Sequence, residues 1–223
     1  MKLKLGATFA GLVFAAALAQ ASPAYNDPSG AAAFNFGGNV GLDFTVGGQG
    51  ILITQMGVYN ALGDSVIAGT INVAIFDTST DLAVAGTQVT FHTGYTQCAG
   101  DAGFDVCQAI NQVYLAPGNY EVVAIGFTNG HDPLGDFQST GLGPALNGAG
   151  LLTFTGASYD YNPTLDGPLT CVGCAAAPSP QNMNWDAGTF EFTAAAVPEP
   201  GTIALMGLGL AALAAGKRLR KGR

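Results

Sequence analysis

Ala116-Pro117-Gly118-Asn119-Tyr120-Glu121-Val122-Val123-Ala124-Ile125-Gly126-Phe127 decides the fold of this chain. Proline presets φ for a turn, and glycine and asparagine accept the turn conformations that other residues resist. The run that follows is rich in β-branched and aromatic residues, which favour a strand. The same alternation recurs on both sides. Leu42, Phe44 and Val46 alternate with Asp43 and Thr45. Val73 and Ile75 run into Phe76 and then the turn cluster Asp77-Thr78-Ser79-Thr80-Asp81. Val89 and Phe91 flank Thr90, and Leu151 to Thr155 and Thr189 to Thr193 read as further strands. Glycine and proline punctuate the segment, and no stretch between residues 22 and 196 has a helical period. Many short strands separated by such turns predict an all-β domain, a single β-sandwich or jelly roll. The Gly-rich stretch Ala31 to Gly50 is expected to be a mobile entry to the first sheet.

Charge is distributed unevenly. The chain has seven Lys and Arg residues and fifteen Asp and Glu residues, for a formal net charge of −8. Lys2 and Lys4 open it, and Lys217, Arg218, Arg220, Lys221 and Arg223 close it. Between Leu5 and Gly216 the only basic side chains are His92 and His131. All the acids but Glu199 lie within residues 22–196. A domain without Lys or Arg cannot release phosphate counterions, so nucleic acid is excluded as a partner. Phosphoryl and carboxylate substrates lack a clamp, and anionic headgroups are disfavoured. Uncharged sugars and divalent cations remain.

Each basic cluster borders an apolar run. Met1-Lys2-Leu3-Lys4, the apolar Leu5–Leu18 stretch and Ala19-Gln20-Ala21 have the three-part plan of a secretory signal peptide. Ala19 and Ala21 are the small residues a signal peptidase reads, so the mature chain is expected to begin at Ser22. At the other end, Gly201 to Gly216 carries no charge. As a helix it would rise about 24 Å, short of the roughly 30 Å hydrocarbon core. The cations beyond it hold that end in the cytoplasm and leave the domain outside. Gly207 and Ala211 lie one helical turn apart, a spacing that chance explains in so Gly/Ala-rich a tail.

Val197-Pro198-Glu199-Pro200, the Gly/Leu/Ala-rich run and the basic end resemble the PEP-CTERM sorting signal. Such signals occur in Gram-negative bacteria, many of which secrete exopolysaccharide. The resemblance implies an exosortase, a membrane-embedded cysteine protease or transpeptidase, as the partner that processes the chain near Pro-Glu-Pro. It also implies passage through the secretion machinery, transient residence in the inner membrane, and delivery to the outer surface or a biofilm matrix. The resulting organisation is a signal peptide over 1–21, a domain over 22–196 and a sorting signal over 197–223. Met56-Gly57-Val58-Tyr59-Asn60, Val73-Ala74-Ile75-Phe76-Asp77 and Leu115-Ala116-Pro117-Gly118-Asn119-Tyr120 are similar to β-sandwich domains found upstream of such tails. That second resemblance implies a fold and no activity.

The candidate site residues are few. Cys98, Cys107, Cys171 and Cys174 are an even set in an exported chain, and disulfides are expected. Of the three pairings, Cys98–Cys107 with Cys171–Cys174 is favoured. Cys171 and Cys174 have redox-motif spacing, but the Ala175–Pro180 segment that follows is not helix-forming. Zinc ligation is disfavoured by the Cys98/Cys107 spacing. Asp77 and Asp81, or Asp101 and Asp105, are candidate Ca²⁺ ligands, and no other cofactor is expected. Tyr159 and Tyr161 flank Asp160, and Trp185 stands between Asn184 and Asp186. These rings are candidate contacts for a neutral sugar, such as an extracellular polysaccharide. His131-Asp132 is expected in a solvated loop, and Glu121 and Glu191 on polar strand faces; two carboxylates on facing strands could do glycosidase chemistry at the right spacing, which sequence separation does not give. No nucleophile elbow is present and no catalytic residue is assigned. The expected function is that of a non-enzymatic cell-surface or matrix structural protein, with glycan binding, direct or Ca²⁺-bridged, as the alternative.

Overall fold

A computed structural model describes residues 22–26, 32–60, 66–92, 95–98, 105–128, 132–136, 145–146, 148–169, 185–195 and Gly209. The strands in chain order are Ser22–Pro23 (β1), Tyr25–Asn26 (β2), Ala32–Phe34 (β3), Asn39–Val46 (β4), Ile51–Tyr59 (β5), Ile71–Asp77 (β6), Leu82–Ala83 (β7) and Val89–Phe91 (β8). They continue with Thr96–Gln97 (β9), Asp105–Leu115 (β10), Gly118–Ile125 (β11), Leu134–Asp136 (β12), Ala145–Leu146 (β13), Leu152–Tyr159 (β14), Trp185–Asp186 (β15) and Gly188–Ala194 (β16). The domain is all-β. Among the described residues no helix is long and apolar enough to cross a membrane. Both terminal segments expected from the sequence, 1–21 and 197–223, lie outside the described residues apart from helical Gly209.

Two antiparallel sheets dominate. One has the order β1-β16-β5-β10-β9, and the other β14-β4-β11-β6-β7 with β8 also on β6. Two small sheets, β15-β12-β3 and β13-β2, accompany them. Gly118–Ile125, within the Ala116–Phe127 stretch, forms β11, central in its sheet. Val122 lies opposite Leu42 of β4 on one side and Ile75 of β6 on the other. Tyr120, Val122 and Ala124 join the main apolar cluster, which also draws Ile53 and Met56 from β5 and Phe190 and Phe192 from β16. Phe44 and Phe190, from different sheets, meet with ring centroids 5.0 Å apart. Fully burying a side chain of this size contributes roughly 1.5–3 kcal/mol.

The other face of β11 is covered as well. Val123 packs with Ala74, Phe76 and Leu169 in a second cluster, with Leu165 against it. Every residue from Tyr120 to Ile125 is therefore buried, where alternation alone predicts one wet face. The cover is the chain from residue 160 to 169, which follows β14.

Within the Ala31–Gly50 stretch, the described residues 32–50 are not a mobile entry. They contain β4, which lies between β14 and β11 in the second sheet. Val40, Leu42, Phe44 and Val46 supply its core face. Gly41 is required by close approach: a Cβ there would collide with the carboxylate of Glu121.

Candidate functional site

The end of β14 and the chain beyond it bring the notable side chains together. Asp160 N–H donates to Asn39 O at 3.1 Å, which extends the sheet edge past Tyr159. Asn39 is fully buried, and its Nδ2 donates to Asp160 Oδ1 at 2.9 Å, Thr164 O at 2.9 Å and Asn162 O at 3.3 Å. Asn162 N–H donates to Asp160 Oδ1 at 3.0 Å, and Asn162 Nδ2 donates to Asp166 Oδ2 at 2.5 Å. A buried amide with acceptors on one loop fixes that loop's path.

The aromatic residues anticipated from the sequence are neighbours in space. Tyr159 meets Trp185 edge-on at 5.1 Å and Tyr161 at 5.9 Å, with interplanar angles of 81° and 89°. Two further rings join them. Phe36 lies 5.7 Å from Tyr159 and 5.3 Å from Tyr161, and Phe34 lies 6.4 Å from Phe36. Tyr161 is 78 % exposed and Phe34 46 %. Trp185 reaches the cluster through β15, which pairs with β12, itself paired with β3. Phe34 and Phe36 escaped the sequence reading because they fall in the Gly-rich entry; their two-residue spacing was the available signal.

Beneath the same loop lies an acidic group. Glu121 is fully buried. Its Oε2 accepts from Leu169 N–H at 2.6 Å, and its Oε1 is bonded to the Ser158 hydroxyl. Burial pushes its carboxyl up from the usual 4.5 to about 8, with Asp43 and Asp160 adding to the rise against these hydrogen bonds. Asp43, opposite Glu121 on β4, is itself raised by burial. Neither Glu121 nor Glu191 lies on a solvated face, because both are fully buried. They stand on β11 and β16, in different sheets, and Glu191 Oε2 accepts from Gln55 Nε2 at 2.6 Å. Asp132 is also buried, accepting from Gly69 N–H at 2.8 Å, while His131 lies outside the described residues.

The remaining candidates are dispersed. Cys98 and Cys107 form a disulfide with Cα atoms 4.9 Å apart, tying β10 to the residue after β9. It lies over Gly57, where a Cβ would be 2.8 Å from Cys107 Sγ. Cys171, Cys174 and Asp101 fall outside the described residues. Asp77 closes a turn: its Oδ1 accepts from Ser79 N–H at 2.8 Å and Ser79 Oγ at 2.6 Å, and those bonds lower its pKa. Asp81 continues that turn, donating N–H to Asp77 O, and Asp105 is buried on β10. No group of three or more His, Cys, Asp or Glu residues is arranged to hold a metal among the described residues.

Comparison with known families places the PEP-CTERM protein-sorting motif on residues 196–221. The match starts two residues after the last residue of β16, Ala194, so it takes in the tail and not the sheets. The chain thus carries a PEP-CTERM sorting motif, which implies exosortase-dependent sorting of an exported protein through a membrane-anchored intermediate. Comparison with curated proteins gives no match.

Proposed function

We propose that this chain is a non-enzymatic passenger, a β-sandwich carried to the outer cell surface or extracellular matrix and released from its tail by an exosortase. The observation that carries the reading is the sorting motif over residues 196–221. The domain supports it in two ways. Its first described strand starts at Ser22, the expected mature N-terminus, and pairs with β16, so the described sheet runs up to the expected cleavage point. Its disulfide suits an oxidising compartment. The reading needs no cofactor, and the tail acts as a substrate of the processing enzyme.

Cell fractionation tests it. In cells with an active exosortase the domain is expected in the outer-surface or extracellular fraction. In cells lacking the exosortase it is expected in the inner membrane, still carrying its tail. An identical distribution in both would refute the proposal.

A further inference from the structure

We propose that the ring cluster of Phe34, Phe36, Tyr159, Tyr161 and Trp185 is a binding surface for an uncharged glycan, which goes beyond the sorting role. Geometry favours a platform. The rings are in mutual contact at centroid distances of 5.1 to 6.4 Å, so they brace one another. The surface is offered by Tyr161 and Phe34, the two most exposed rings of the group. The C–H faces of a sugar ring match such a surface, and its hydroxyls can meet phenol and indole polar tips. Among the described residues nothing hydrogen-bonds the Tyr159 or Tyr161 hydroxyls or the Trp185 indole N–H.

Electrostatics sets the ligand's charge. No Lys or Arg stands anywhere between Leu5 and Gly216, and Asp160 and Asp166 lie in the loop that carries Tyr161. An anionic glycan would meet repulsion with no compensating cation. The loop is also held in place before any ligand arrives. Asn39 fixes it from below, so little ordering has to accompany binding.

The single tryptophan of the chain is Trp185, so indole fluorescence reports on this cluster alone. The full-length chain in mild detergent would be titrated with dextran, mannan, β-glucan and galactan, with alginate and choline as charged comparators. The expected result is a saturable emission change with at least one neutral polysaccharide and none with alginate or choline. Tyr161→Ala should weaken that binding roughly three- to tenfold, and Tyr161→Phe should largely retain it. Tyr114→Ala, which removes an exposed ring outside the cluster, should have no effect. No response to any neutral polysaccharide, a preference for alginate or choline, or full affinity in Tyr161→Ala overturns the proposal. A far-UV circular dichroism spectrum and melting temperature of the free Tyr161→Ala chain matching the wild type establish that the fold survives.

Discussion

At about pH 9 the Glu121→Gln chain is expected to melt well above the wild type, and near pH 4 the two should melt together. Glu121 has no cation to offset its charge, and Asp43 and Asp160 face it. In the folded domain it holds its proton up to about pH 8, whereas in the unfolded chain it loses it near 4.5. The folded state therefore binds more protons across that window, and stability falls as pH rises through it. Below 4.5 both states are protonated and nothing is lost. Above about 8 the loss is complete, on the order of 5 kcal/mol. That is a large share of the roughly 5–15 kcal/mol that holds a domain together. Opening of the 160–169 cover would relieve the charge sooner and limit the loss.

Glutamine reproduces the neutral acid. Its oxygen can accept from Leu169 N–H, and its amide can donate to the Ser158 hydroxyl. A difference of roughly 10 °C or more in melting temperature above pH 8 is the expected size. Thermal melts of both chains from pH 4 to 9 measure it. Parallel pH profiles would show that Glu121 is not the group responsible.

Replacing Pro198, Glu199 and Pro200 together by alanine should abolish the processed form. The three residues are the namesake of the motif and precede the apolar run. Prolines disfavour helix at and just before their own positions and so favour an extended chain, which is the form a protease takes. Alanines, the strongest helix formers, would remove that bias. The expected product is a chain that keeps its tail and remains with the membrane, visible on an immunoblot as one slower band. Undiminished processing of the triple variant would contradict the motif's role. The domain should fold equally well in both chains, because β16 ends before the match begins.

The strands that could be read from the sequence are those whose neighbours are local in character. β11 begins within the Pro-Gly-Asn turn signal, β6 ends in an Asp/Ser/Thr turn, and the sequences of β4, β14 and β16 alternate. β5 and β10 were harder to see. The pairing of β10 with β5 shifts register between Ala109 and Val113, and that of β16 with β5 shifts between Glu191 and Phe192. Such shifts break period-two alternation. The burial of Glu121 was illegible for a different reason. Its cover comes from a hydrogen bond to Leu169, 48 positions away, and no local pattern encodes that contact. Three of the five clustered rings were picked out by composition, since aromatics beside Asp and Asn are conspicuous. Phe34 and Phe36 joined only when β3, β12 and β15 paired. The tail was the most legible part, because charge, apolarity and proline order are properties of sequence itself.

Intact-mass spectrometry of the protein recovered from its native host tests the central claim, that an exported domain is cut free of both terminal segments. The predicted result is a species that begins at Ser22, ends near Pro-Glu-Pro without the apolar run and basic end, and has its cysteines oxidised. A full-length, reduced chain in the cytosol would contradict it.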